Sequence, residues 1–459
     1  MFGWNTEKAK ASVLAGLVAL SLVGCGASPS EVIERASRVA ESASATTSEQ
    51  ASVTDEQTNA TAKSADSSAM VTAVNASSDG AMNTEDLFTD RDLTQEADLA
   101  EATSITVKSG EDVSITKEGT YVVTGTANNV TITVDVDSSE KVQLVLDGLS
   151  ITNDDSAAIY VASADKVFVT TVEGTTNTLC VTGTFAVDGS TNVDAVIFSK
   201  DDLVLNGLGT LNIESTDNGV SCKDDLKITG GTYVIECQAD ALEANENVLV
   251  ADGNFSITSN KDAIHAEYDE DNTVGNVYIA GGTFDIAAAS DGIQATCVAQ
   301  IDGGSLQINA AEGIEGTYVQ INDGSVNISA SDDGVNATNK STISTPTIEI
   351  RGGVVDITMA AGDTDALDSN GNLYISGGTV TISAQYAFDF DGEAELSGGT
   401  VTVNGEQVTT IQNSMMGGGM GGGMGGPGAG GMGVRVDDMG AGMGGFRGDM
   451  SDMSDSVSG

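Results

Sequence analysis

A glycine turn followed by a short alternating strand recurs nine times between Gly207 and Val403. The copies are "GLGTLNI" ending at Ile213, "GGTYVI" at Ile235, "DGNFSI" at Ile257, "GGTFDI" at Ile286, "GGSLQI" at Ile308, "DGSVNI" at Ile328, "GGVVDI" at Ile357, "GGTVTI" at Ile382 and "GGTVTV" at Val403. Successive intervals are 22, 22, 29, 22, 20, 29, 25 and 21 residues. A period this regular means that each unit buries its apolar face against its neighbours.

Each unit contains three runs with period-two alternation: "NVYI" or "NLYI" before the glycines, "TFDI" or "TVTI" after them, and "DGIQA" or "DAIHA" after a further corner. A βαβ unit needs about 30 residues or more and a propeller blade about 40, so neither fits. The spacing predicts an all-β fold, a right-handed parallel β-helix of about 22 residues per coil over residues 104–412. The two 29-residue intervals are then ordinary coils carrying loop insertions, "EYDEDNT" at Glu267 to Thr273 and "TNKSTIST" at Thr338 to Thr345. Glycine pairs supply the corners, and the alternating Val, Ile and Leu fill the bore. Cys222 takes the place of Ala244, Ala266 and Ala295 and is expected to point inward, with a bridge to Cys237 left open.

The third run begins with an acid in most coils. Aligned on the repeat, it reads "DAVIF" from Asp194, "NGVSC" from Asn218, "DALEA" from Asp240, "DAIHA" from Asp262, "DGIQA" from Asp291, "EGIEG" from Glu312, "DGVNA" from Asp333 and "DALDS" from Asp365. Stacking puts equivalent residues about 4.8 Å apart, and unit charges there repel by about 3.5 kcal/mol at an effective dielectric of 20. Such a column calls for raised pKa values or bound cations. Oxygen-only ligands favour calcium, and three groups are expected to hold it: Asp240, Glu243, Asp262 and Glu267; Asp291, Glu312 and Glu315; and Asp363, Asp365, Asp368 and Asp389. Asp333 continues the column, and the insertion adds Asp269 and Asp271. The competing reading is that each Asp accepts backbone N–H bonds at a turn.

Beyond the repeat the composition changes. Residues 1–24 read as a lipoprotein signal peptide, with Lys8 and Lys10 ahead of a short apolar run that ends in "LVGC". Cys25 is the expected lipidation site, tethering an extracellular protein to the membrane surface. Residues 25–103 are rich in Ala, Ser and Thr and read as a disordered stalk, and residues 413–459 as a flexible Gly/Met-rich tail whose thioethers are weak candidates for soft ions. The net charge of −50, from 68 Asp and Glu against 18 Lys and Arg, argues against nucleic acid as a partner and concentrates cations. Halophilic adaptation would also give an acidic chain, but it does not require acids in register.

The motifs "GTYVVTG", "VQLVLDGLSI", "SAAIYV", "GTTNTL", "DDLVLNGLGTLNI", the acid-led corners and "DALDSNGNLYISGGTVTI" resemble a bacterial surface carbohydrate-binding family of right-handed parallel β-helices, similar in fold to polysaccharide lyases. The resemblance implies bound calcium and a polysaccharide ligand, either acidic and polygalacturonate-like or cellulose. Tyr386 replaces the corner acid in "YAFDFDG", so a site there must use Asp389 or Asp391. A uronate and an acidic wall repel, and a shared calcium ion would bridge them. A neutral glycan would need aromatic surface, for which Tyr268, Tyr278 and Tyr374 are candidates. A calcium-dependent lyase is the rival reading, with Lys261 or Lys223 as base and His265, the one histidine, as ligand or base. A hydrolase pairing two acids and a non-catalytic adhesin or spacer are further alternatives.

Overall fold

The computed structural model describes residues 80–186, 192–362 and 364–414. Among these residues there are 36 strands and no helix. Three strands make one circuit, as in Asp291–Ala295, Val298–Ile301 and Ser305–Ala310. Each pairs in parallel with its equivalent in the next circuit, Ile293 beside Ile314, Ala299 beside Val319 and Ile308 beside Ile328. The acid-led strands form a twelve-stranded sheet, and the other two sets are joined through the glycine corners into a sheet of 24 strands. The parallel solenoid read from the repeat is therefore present. The antiparallel strand Glu406–Val408 closes its end against Thr400–Val403.

Register follows from the repeat. Ile213 pairs with Ile235, Ile235 with Ile257 and Ile257 with Ile286, and the series continues to Ile382 beside Val403. A slip of one residue would turn every such side chain outward, and the isoleucines of this column are all 1 % exposed or less. Inside the bore Tyr233, Phe255 and Phe284 stack with ring centroids 5.2 and 4.5 Å apart. Gly282 has φ +103°, and a Cβ there would also meet Gly253 O at 2.9 Å. Cys222 points inward beside Ala244 as expected. Cys222 and Cys237 are buried free thiols, so no bridge joins them.

The assignment of residues 25–103 to a disordered stalk needs correction at its end. Residues 80–102 run across the outer face of the "NVYI"-type strands as a strap. Met82 N–H donates to Gln300 Oε1 at 2.9 Å, and Lys227 Nζ donates to Leu87 O at 2.9 Å. Further along, Asp92 lies 3.4 Å from Lys166 Nζ, Arg91 covers the Phe168 ring at 4.4 Å, and Gly207 N–H donates to Gln95 Oε1 at 2.8 Å. Met82 and Leu87 pack on Leu249, Tyr278, Val298 and Tyr318. The strap satisfies outward apolar side chains that a bare solenoid would leave in water. It also removes Tyr278 as a sugar platform, because that ring is 7 % exposed and its hydroxyl is held by Asp302 at 2.9 Å.

Asp92 is fully buried; it accepts the Thr89 N–H at 2.9 Å and shares Lys166 with Asp202. Asp92→Ala is expected to cost about 1–3 kcal/mol of local stability. Hydrogen exchange should then show lost protection at Thr89 and Leu93 with the solenoid strands unchanged; unchanged exchange at both amides would show that the strap is not anchored there.

Candidate functional site

The corner acids do two different things. In the lower coils one carboxylate oxygen reaches up to the next coil: Asp262 N–H donates to Asp240 Oδ1 at 2.9 Å and Asp291 N–H to Asp262 Oδ1 at 2.8 Å. Asn218 Oδ1 does the same for Asp240 N–H at 2.9 Å, so a rung needs an acceptor and no charge. Asp333 resumes the pattern by accepting Asp365 N–H at 3.3 Å. The backbone-acceptor reading therefore holds for these four rungs, linking successive coils.

The pattern breaks at Asp291. Glu312 N–H turns to Ser290 O, leaving the Asp291 carboxylate free of the next coil's backbone. There Asp291, Glu312 and Glu315 converge, with one ligand oxygen from each within 4.8 Å of the others. Burial, then the fields of Asp262, Glu312 and Glu315, push Asp291 up to about 8. Burial also raises Glu312, against a hydrogen bond from Asn336 Nδ2 at 3.0 Å.

One cation approaches this trio. The insertion after Asn336 brings Lys340 Nζ to 2.6 Å from Glu315 Oε2, and Thr338 Oγ1 donates to Glu315 Oε1 at 3.2 Å. Burial works against the Lys340 charge, but Glu315 outweighs it and raises its pKa. Sequence reasoning missed Lys340, because only the fold shows where a loop insertion lands. Nearby, the Oδ1 of Asn336, a residue 7 % exposed, has no hydrogen-bond donor. A buried acceptor without a donor costs about 1–3 kcal/mol, and beside carboxylates the partner it lacks is a cation or a water. Three carboxylates, one of them steadied by an ammonium, and one bare amide oxygen are an oxygen donor set that fits a hard divalent ion.

The group around Asp240 is built differently. His265 Nδ1 lies 3.4 Å from Asp240 Oδ2 and 3.7 Å from Asp262 Oδ2, and its Nε2 lies 3.1 Å from Glu267 Oε2. Burial opposes the imidazolium, but the Asp240 and Glu267 carboxylates beside its two ring nitrogens prevail and lift it to about 10. The chain thus supplies its own cation between these carboxylates. Glu243, expected in the same group, turns to Asn218 Nδ2 at 2.8 Å and Lys223 at 3.4 Å. Lys261, weighed as a base, is largely exposed and 3.7 Å from Asp240.

The two insertions meet over the twelve-stranded sheet, Ser341 Oγ donating to Asn272 O at 2.6 Å. Beneath them Gln294 is 2 % exposed. Asp271 is spent on its own turn, accepting Thr273 N–H and Oγ1–H at 2.9 and 2.6 Å. Asp269 lines the cleft beside Tyr268.

The carbohydrate-binding domain family model matches residues 109–360 and 314–409. The chain belongs to that family. A carbohydrate-binding domain-containing protein of Acetivibrio thermocellus is 37 % identical over 131 residues, which are 28 % of this chain and 46 % of the relative, so the match spans about half the relative's length. A solved structure, described as a polysaccharide lyase-like protein from C. thermocellum in a gadolinium derivative, is 31 % identical with a TM-score of 0.44; it covers 49 % of this chain and 96 % of its own.

Elsewhere on this carbohydrate-binding domain, Asp368 pairs in register with Asp389 and is raised to about 6 by burial and then by Asp389, Asp365 and Asp391. Asp389 Oδ1 accepts Asn413 Nδ2 at 2.7 Å. Asp363 and Cys25 lie outside the described residues. Tyr374 stays half-exposed between Glu349 and Glu395. Asp224, Asp225 and Glu246 form a further acid group missed from the sequence, with Asp224 raised to about 7 by burial and then Asp202. Its signal was the repeated "KDDL" at Lys200 and Lys223.

Burial and then Asp368 raise Asp333 to about 7. With Asp291, Asp333 and Asp368 all above the ordinary value of about 3.9, the folded state holds more protons than the unfolded one, so stability falls as pH rises from about 4 to about 8. Metal-free protein is expected to melt at a lower temperature near pH 8 than near pH 5, with Asp291→Asn flattening the profile. An unchanged slope in that variant would show that Asp291 does not titrate in the window.

Proposed function

We propose that this chain is a surface-tethered polysaccharide-binding protein, wound as a right-handed β-helix of about 22 residues per coil. Calcium is held by Asp291, Glu312, Glu315 and the Oδ1 of Asn336, and the preferred ligand is an acidic, polygalacturonate-like glycan. One observation carries the reading: three convergent carboxylates face a single ammonium, beside a buried acceptor with no donor. When bound, calcium supplies the missing positive charge and leaves coordination positions that a uronate carboxylate can take. Lys340 fixes Glu315, and Asn336 orients Glu312 through its amide. Asp240, Asp262 and Asp333 hold successive coils in register through their backbone bonds.

The charge state of Lys340 favours binding over β-elimination. A lyase needs an unprotonated base near the metal, whereas Lys340 is raised and paired with Glu315. Lipidation at Cys25 would tether the domain to the outer face of the membrane.

Titration calorimetry on the intact protein should show calcium binding that Asp291→Asn with Glu315→Gln weakens by about a hundredfold or more. Polygalacturonate should be retained in affinity electrophoresis with calcium and released by EDTA. Retention that survives EDTA unchanged would contradict the bridging role, and ultraviolet absorbance from unsaturated uronate products would reassign the protein as a lyase.

A further inference from the structure

Where the strap meets Lys166, the fold gathers the three groups that an amide condensation needs. The geometry there points to a covalent pin between strap and solenoid: Lys166 Nζ joins Asp92 Cγ as an amide, with loss of one water.

Lys166 opens the strand Lys166–Thr171, and its register with Asp202, at the start of Asp202–Gly207, sets the two side chains side by side. Asp92 arrives from the strap. Lys166 Nζ then lies 3.4 Å from Asp92 Oδ1 and 3.4 Å from Asp202 Oδ2. Asp92 is fixed on its other sides: its Oδ2 accepts Thr89 N–H at 2.9 Å, its own N–H donates to Thr89 Oγ1 at 3.2 Å, and its carbonyl accepts Thr229 Oγ1 and, at 3.4 Å, Asn206 Nδ2. The remaining oxygen, Oδ1, faces the amine. Reactants held in contact behave as a unimolecular pair.

Water, which drives the reverse hydrolysis, is largely shut out. The side chains of Lys166, Asp92 and Asp202 are 11, 0 and 13 % exposed. An ion pair buried this deeply carries the desolvation cost of two charges. The amide removes both charges, and its N–H keeps Asp202 as an acceptor.

Burial works against the Lys166 charge, but Asp202 and then Asp92 outweigh it and raise its pKa, so the amine rests protonated. Asp202, raised by burial and then by Asp225, takes one ammonium proton. The freed Nζ lone pair attacks Asp92 Cγ while the Thr89 N–H steadies the charge on Oδ2. The C–N bond forms and the Cγ–Oδ1 bond breaks. Oδ1 leaves as water with two of the three ammonium protons, one of them returned by Asp202, and the third stays on the amide nitrogen. Asp202 ends as the carboxylate it began as, and no co-reactant is consumed.

The test is mass spectrometry of the full chain, intact and after trypsin. The intact mass is expected to fall short of the sequence by one water, trypsin should not cut after Lys166, and the peptide 92–108 should be recovered joined to 142–200. Lys166→Arg keeps the cation but should show the full mass, and Asp202→Asn should leave freshly folded protein a mixture of linked and unlinked chains. A full-mass wild-type chain after days of incubation overturns the pin. So does a water loss that persists in Lys166→Arg or maps to Asp202. Should Lys166→Arg fail to fold, the joined peptide from the wild-type digest decides by its presence or absence.

Discussion

Like charges repeated at the spacing of a parallel stack are the constraint on which this molecule turns. Parallel coils place each residue over its equivalent, so an acid used once per turn meets its own copy about 4.8 Å away, at a repulsion of about 3.5 kcal/mol where the effective dielectric is 20. The chain answers it four ways along one sheet. Asn218 removes the charge, Asp240 and Asp262 each take a backbone N–H, His265 supplies a cation, and Lys340 supplies another from an insertion. Around Asp291, Glu312 and Glu315 the negative charges outnumber the one ammonium that reaches them.

That imbalance separates scaffold from site. A carboxylate that accepts the next coil's N–H is part of the backbone's own bonding, and removing it would loosen the solenoid. Asp291 has been released from that duty by the turn of Glu312 N–H to Ser290 O. The insertions then close over this stretch and bury Gln294 and Thr296, lowering the local dielectric and magnifying whatever charge remains.

Much of this was legible in the residues alone. The interval between glycine turns dictates the register, and register dictates that Asp291, Glu312 and Glu315 share one corner. What was not legible came from segments outside the period. The strap, 80–102, has too few apolar residues to announce itself, and Met82 and Leu87 find their partners only because Leu249 and Tyr278 project outward from the solenoid. Tyr278 therefore looked like a free platform in the repeat and is an interior residue in the fold. Lys340 sits in an insertion whose landing place no spacing rule gives. His265 was visible as the single histidine, but its cationic state depends on three carboxylates contributed by the coil below, the turn before its own strand and the start of the insertion.

The most direct test of the central claim is anomalous diffraction from crystals of the described domain grown with calcium. The account predicts an ion peak within coordination distance of Asp291, Glu312 and Glu315, with Asn336 Oδ1 turned toward it. A structure at neutral pH with saturating calcium and no ion among those three carboxylates would contradict it.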